Sequence, residues 1–281
     1  ELASTLSCAS VSHADTTARD IVAALVHMPR YWSVTSADVI LDPEVRLAAR
    51  VAAKRLIAGA PFAYAVGTVE FRNLNLNVDE RVLIPRPETE ILVEEILKRF
   101  RLGNAGGADW GTAVDIGTGS GAIALSLAAE GHFTRVIATD SSIDAIDVAR
   151  TNAAISRDAL RCPVEFRSGS LFAPVKDVTG RLLVSNPPYI TYEEARYLPP
   201  SVRSWEPPTA LLSASNGLAV TAAIVQEGVS LLEHAGVLAL EVDERRASLV
   251  AELVMSAGGY TNVNVVLDLT GRERFVFASR A

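Results

Sequence analysis

Over residues 1–60 the apolar positions recur with a helical period. Ile21, Leu25 and Met28 make one stripe; Val45, Ala49, Ala52 and Leu56 make another, with Arg46, Arg50 and Lys54 on the opposite side. Such stripes are what helices with one buried face require. Asp42-Pro43 reads as an N-cap followed by proline in the first turn. From Tyr64 to Leu83 the period changes. Leu74, Leu76 and Val78 alternate with Asn73, Asn75, Asn77 and Asp79, which predicts strands forming a hairpin between two domains. Pro85-Arg86-Pro87-Glu88-Thr89-Glu90 then opens a helix over Ile91–Phe100, and Gly103–Gly111 is a glycine-rich loop.

Beyond Thr112 short apolar runs alternate with helical patterns. Strands are predicted at 113–116, 136–138, 164–166, 182–184 and 237–240, with helices at 122–129, 143–154, 219–232 and 244–257. Ser141 and Ser142 mark the start of the second of these helices. This alternation predicts a doubly wound α/β sheet with right-handed crossovers. Two closing strands, 263–267 and 275–278, flank Gly271 with no helix between them, so their pairing is expected to be antiparallel.

Composition narrows the function classes. The 281 residues are 49% hydrophobic, enough for a substantial core, and the net charge is −7. An acidic balance argues against a nucleic-acid substrate, whose phosphates call for a basic surface. Cys8 and Cys162 lie far apart, and the four histidines form no ligand-spaced cluster. No metal site and no disulfide framework is expected, and the cysteine usage reads as cytoplasmic. No apolar run has the ~20 residues of a membrane span, and no signal peptide is read at the N-terminus.

Two motifs carry chemistry. Asp115-Ile116-Gly117-Thr118-Gly119-Ser120-Gly121 joins the first strand of the α/β region to a helix, and Asp140 ends the next strand. Ligands of such sheets bind at the carboxyl ends of strands. Glycines let a ligand approach the backbone, and a carboxylate at Asp140 accepts hydrogen bonds from two ribose hydroxyls. A dinucleotide would want Gly-x-Gly-x-x-Gly. Here the spacing is Gly-x-Gly-x-Gly, with Asp115 placed to repel a pyrophosphate and suit an ammonium, which favours S-adenosyl-L-methionine. The second motif, Asn186-Pro187-Pro188-Tyr189, ends another strand of the same sheet. The Asn186 side-chain oxygen and the Pro187 carbonyl can accept both hydrogens of a planar NH2, while Tyr189 offers a stacking face. The NH2 belongs either to a side-chain amide or to an exocyclic amine of a base.

These residues give the chain its resemblance to a known family. It resembles the release-factor glutamine methyltransferases (the PrmC/HemK family) over most of the sequence beyond residue 60. The shared motifs are Pro61-x-x-Tyr64-x-x-Gly67, Val82-Leu83-Ile84-Pro85-Arg86-Pro87-Glu88-Thr89-Glu90, the glycine loop, and Ser185-Asn186-Pro187-Pro188-Tyr189-Ile190. Further along come Glu206-Pro207-x-x-Ala210-Leu211, Asn216-Gly217-Leu218 and Asp268-Leu269-x-Gly271-Arg272-x-Arg274. The glycine loop is common to many methyltransferases; the Ile84–Glu90 run combined with Asn186–Tyr189 is far more specific.

The resemblance implies a helical, substrate-docking domain (1–60), a β-hairpin linker (61–84) and a class I S-adenosylmethionine-dependent methyltransferase domain (85–281). The last is a Rossmann-like, mostly parallel seven-stranded sheet with an antiparallel last strand. It implies methylation of the glutamine of a Gly-Gly-Gln motif in bacterial class I peptide-chain release factors, with S-adenosyl-L-homocysteine as product. Cofactor contacts fall on Asp115, Gly117, Thr118, Gly119, Ser120, Gly121, Asp140, Ser170, Leu171 and Asn186. Substrate contacts fall on Asn186, Pro187, Pro188 and Tyr189, of which Asn186, Pro187 and Tyr189 are catalytic. Ser170 departs from the family, which usually has Asp near the adenine. A glutamine of a large-subunit ribosomal protein and, on a flipped base, an adenine of nucleic acid are the alternative acceptors. A non-enzymatic adenosyl-binding module is argued against by the intact Asn186 and Tyr189.

Overall fold

The computed structural model describes residues 1–29, 31–32, 40–103 and 109–281, so most of the predicted loop Gly103–Gly111 lies outside the described residues. The period-two stretch forms a hairpin, β1 (Thr68–Phe71) paired antiparallel with β2 (Leu74–Asn77). Leu74, Leu76 and Val78 are buried as the alternation requires. The α/β region supplies β3 (Thr112–Ile116), β4 (Arg135–Asp140), β5 (Val164–Ser168), β6 (Gly180–Ser185), β7 (Leu232–Glu241), β8 (Tyr260–Leu267) and β9 (Glu273–Arg280). They form one sheet in the order β5-β4-β3-β6-β7-β9-β8. Pairings from β5 across to β7 are parallel, and β9 is antiparallel to both its neighbours. Its approach from β8 is a tight turn. Asp268 Oδ1 accepts from Thr270 N at 2.8 Å and from Arg272 N at 3.0 Å, which leaves no room for a crossover.

Both faces of the sheet are covered. Leu92, Ile96 and Leu97 of helix Pro87–Gly103 and the almost wholly apolar helix Ala122–Glu130 pack on Ala113, Leu182 and Val184. Ile224 and Val225 of helix Ala219–Leu231 and Val250 and Val254 of helix Ala247–Ser256 pack on Val114, Leu183 and Leu238. Burial on two faces is why these strands read as continuous apolar runs rather than alternating ones. Each fully buried Leu or Ile contributes about 1.5–3 kcal/mol of hydrophobic stabilisation. Helix Ala247–Ser256 starts later than its pattern predicts, because Asp243 Oδ1 accepts from Arg245 N at 3.1 Å and holds the preceding residues in a turn.

The N-terminal helices Leu2–Cys8, Ala14–Leu25, Pro43–Ile57 and Phe62–Val66 share a separate apolar cluster around Leu6, Ile21, Ala49 and Ala52. Asp42 occupies the N-cap position with Pro43 in the first turn, although the Asp42 side chain makes no cap bond. Met28 does not continue the stripe: its helix ends at Leu25, and Met28 is 40% exposed. The hairpin is fastened to the α/β region at both ends. Arg72 in its turn donates to Glu130 through Nε and Nη2, each at 2.6 Å, and to Glu94 at 2.8 Å. At the other end Asn152, wholly buried in helix Ile143–Ile155, accepts from Asn77 N at 2.7 Å. It donates to Asn77 O at 3.0 Å and Ser120 O at 2.9 Å.

Candidate active site

Sheet register brings the two motifs together. β3 and β6 are adjacent and parallel, with Asp115 opposite Val184, so Gly117 and Asn186 emerge side by side at the carboxyl edge. Ser185 Oγ donates to Ile116 O at 2.6 Å and ties the two strand ends. Gly117 N and Thr118 N both donate to Thr139 O, at 2.9 and 2.8 Å, which clips the loop to the end of β4. Asp140 is then held by one backbone donor on each oxygen, Gly119 N on Oδ2 and Ser142 N on Oδ1, both at 2.9 Å. Ser142 caps the following helix by accepting from Ala145 N at 3.2 Å, as its position in the sequence predicts.

A cavity of about 270 Å³ opens at this edge and is lined by Gly117, Gly119, Asp140, Ser170, Leu171 and Asn186. These predicted cofactor residues are therefore brought together. Gly117 and Gly119 have φ of +77° and +56°, and a Cβ built on either would meet nothing within 4 Å. The loop is a cradle of bare backbone facing open space, shaped for a ligand to approach. A carboxylate oxygen has more than one acceptor site, so Asp140 retains capacity for a pair of hydroxyls. Leu171 adds an apolar wall in a left-handed conformation, φ +47°, uncommon for a residue with a side chain.

The other predicted cofactor residues lie behind this wall. Alternation along β3 puts Asp115 on the same face as Ala113, under helix Ala122–Glu130, where it is 0% exposed. Its Oδ2 accepts from Thr118 Oγ1 at 2.7 Å. Burial pushes its carboxyl up to about 7, against the opposing effect of the Thr118 hydroxyl. Asp115 and Thr118 thus brace the loop from inside; neither they, Ser120 nor Gly121 line the cavity. Ser120 offers its carbonyl to Asn152. Gly121 has φ +85°, and a Cβ there would lie 3.1 Å from Leu125 and 3.3 Å from Ala149, so it permits two helices to approach closely.

Asn186, Pro187 and Pro188 also line a second cavity, of about 140 Å³, with Leu83, Arg86 and Tyr189. These three residues, with Leu83 and Ala210, form the wall between the two spaces. Burial raises the Tyr189 phenol to about 12, with Glu241 adding to the shift, so it stays protonated near neutrality. The turn is fixed from outside. Ile190 N donates to Leu211 O at 3.0 Å, and Ser213 N donates to Ile190 O at 2.8 Å. Gly217, at φ +82°, packs so closely that a Cβ would stand 2.2 Å from Tyr189 O.

Three supporting groups have no role in the sequence-based expectations, although Arg86, Thr89, Glu206 and Asn216 fall within the shared motifs. Arg86 donates to both carboxylate oxygens of buried Glu206, at 2.7 and 2.8 Å, closing one side of the small cavity. Asn186 Nδ2 donates to Thr89 Oγ1 at 3.3 Å, and Thr89 Oγ1 donates to Glu241 Oε2 at 2.7 Å. Arg246 donates to Asn216 O at 2.7 Å and to Glu194 at 2.8 Å, bracing the segment behind Tyr189. Glu241 carries a signal that could have been followed: an acid ending the apolar run Leu238-Ala239-Leu240, at the same sheet edge as the two motifs.

Residues 88–198 match the model of a family described as "Methyltransferase small domain". The chain is 38% identical over 248 residues to a release factor glutamine methyltransferase of Rhodopirellula baltica, covering 88% of this chain and 83% of that one. It is 38% identical over 224 residues to a protein of the same name from Enterococcus faecalis, covering 80% and 77%. Among solved structures, a methyltransferase from Pyrococcus furiosus superposes with a TM-score of 0.52 at 20% identity, covering 84% of this chain and 98% of that one. This last likeness concerns the fold alone.

Proposed function

The chain belongs to the release factor glutamine methyltransferase family, and from that membership we propose how its site selects and activates a glutamine amide. It is an S-adenosylmethionine-dependent protein-glutamine N-methyltransferase whose substrate is a release factor. The acceptor we assign is the glutamine of the Gly-Gly-Gln motif of bacterial class I release factors. Two glycines before the glutamine let a loop backbone enter the small cavity without side-chain clash. The observation that carries this reading is the shared wall: Asn186, Pro187 and Pro188 line both cavities, so a group held there borders both ligands at once.

In this reading Gly117, Gly119, Asp140, Ser170 and Leu171 hold S-adenosylmethionine, with Asp140 on the ribose hydroxyls. When bound, that group supplies an electrophilic sulfonium methyl and leaves as S-adenosylhomocysteine. An amide nitrogen is a poor nucleophile because its lone pair is delocalised. Asn186 Oδ1 and the Pro187 carbonyl accept its two hydrogens and favour the positive charge that grows on nitrogen. Well-placed polar groups of this kind are worth about 2.7–4 kcal/mol each. Tyr189 and Pro188 hold the amide plane, and fixing the reactants in line contributes up to roughly 7–11 kcal/mol. No side-chain base is needed, because the alkylated nitrogen is acidic enough to release its proton to water.

Residues 1–60 and the hairpin 61–84 are assigned to docking the folded acceptor protein beside the catalytic residues 85–281. The separate apolar cluster of the N-terminal helices supports such a unit. The net charge of −7 speaks against nucleic acid as the direct substrate. Among the described residues no helix is long and apolar enough to cross a membrane. Incubation with methyl-labelled S-adenosylmethionine tests the assignment. Label should enter intact release factor at the Gly-Gly-Gln glutamine, located by peptide mass spectrometry, and should vanish when that glutamine is replaced by alanine. Preferential labelling of ribosomal protein or DNA would overturn it.

A further inference from the structure

An asparagine amide can present either end to a ligand. If Asn186 turned its NH2 toward an acceptor amide, two donors would face each other and the glutamine would be repelled. The site therefore needs a device that fixes which end of Asn186 faces the cavities. Such a device is built from three elements. Thr89 lies in the first turn of helix Pro87–Gly103. Glu241, 2% exposed, ends β7, and the register of β6 and β7 pairs Ser185 with Leu240, so Glu241 comes up beside Asn186. The bonds run in one direction, from Asn186 Nδ2 to Thr89 Oγ1 at 3.3 Å and from Thr89 Oγ1 to Glu241 Oε2 at 2.7 Å.

A threonine hydroxyl has one proton. Given to the Glu241 carboxylate, which can only accept, it leaves the Thr89 oxygen able only to accept in turn. The end of Asn186 that faces Thr89 must then be NH2, and its carbonyl oxygen is left for the cavities. We propose that Thr89 and Glu241 are positioning residues that set the polarity of the Asn186 amide, so that its oxygen faces the acceptor nitrogen. The inference rests on the functional reading above and deepens it. It also gives the Pro87-Glu88-Thr89-Glu90 run a chemical role. Thr89 lines neither cavity but determines what Asn186, which lines both, can offer.

Thr89→Val removes the hydroxyl with little change in shape, and Thr89→Ser retains it. The valine variant should lose roughly 10- to 100-fold in kcat, as expected for misoriented reacting groups. It should remain folded at the assay temperature, with its S-adenosylmethionine affinity at the wild-type value. The serine variant should keep most of the rate. Full kcat in the valine variant, or an equal loss in the serine variant, would overturn the proposal. So would a parallel loss of folding or cofactor affinity, which would mark Thr89 as a structural residue only. A second arm needs no acceptor. The 15N-labelled Asn186 side-chain NH2 should exchange slowly with water in wild type and Thr89→Ser and rapidly in Thr89→Val; equal exchange in all three contradicts the device. If wild type transferred no methyl to release factor, the functional reading would fall and this arm would still decide the inference.

Discussion

Glu241 is the residue whose ionisation the account depends on most. Burial raises its carboxyl from an ordinary 4.5 to about 7. Glu88, on the helix that carries Thr89, pushes the same way, whereas Thr89, Arg274 of β9 and Asn186 oppose the shift. The carboxylate is the form that draws the Thr89 proton away from Asn186. A protonated Glu241 can donate to Thr89 instead and release the amide to rotate. The single-turnover rate should therefore climb with pH through about 7 and level off above it; a profile flat from pH 6 to 8 would contradict this role. Stability moves in the opposite sense. Between about 4.5 and 7 the folded chain holds a proton that the unfolded chain has released, so this group's contribution falls as pH rises through that window. At this scale the sequence was informative about the residues that line the cavities and less so about those behind them. Asn186 and Asp140 line the larger cavity. Asp115 does not, because a two-residue period seats it under a helix, and no motif records which face of a buried strand a side chain takes.

At the scale of elements, the Asn186–Tyr189 turn is held by segments far from it in sequence. The Asn216-Gly217-Leu218 run shows how. Gly217 sits at φ +82°, and any Cβ there would press to within 2.2 Å of Tyr189 O and 2.8 Å of Arg246 Nε. Gly217→Ala should therefore carry a left-handed backbone cost of about 1–2 kcal/mol and displace the tetrapeptide. The measurement is a thermal melt paired with turnover. A lower melting temperature with a disproportionate fall in kcat is expected, and wild-type values for both would refute the packing argument. Strand–helix alternation made the elements themselves legible, since the sheet buries both faces of its strands. Their cross-links were hidden. Asn152, which joins the hairpin to the glycine loop, reads in sequence as one more polar residue of a helix. Only the burial of its amide against Asn77 and Ser120 shows it to be a fastener.

For the whole molecule, the proposed function rests on two spaces that meet at one wall. The larger is made by the ends of β3, β4 and β6 and by the glycine loop; the smaller is closed by Arg86, which Glu206 holds in place, and by the segment after β6. That the motifs converge was foreseeable from the order of strands, because β3 and β6 belong to one parallel sheet. That they border two volumes was not, since the second is lined by Arg86, Leu198 and Val202, which no motif spacing brings to the tetrapeptide. The most direct test of the shared wall is the single-turnover rate of Asn186→Ala with release factor, measured beside its S-adenosylmethionine dissociation constant. A rate loss on the order of 10²–10³-fold is expected, as for removal of one preorganised polar group, with cofactor affinity within about tenfold of wild type because Asp140 and the glycine loop are untouched. A variant that transfers methyl at the wild-type rate, or one whose whole deficit lies in cofactor binding, would contradict it.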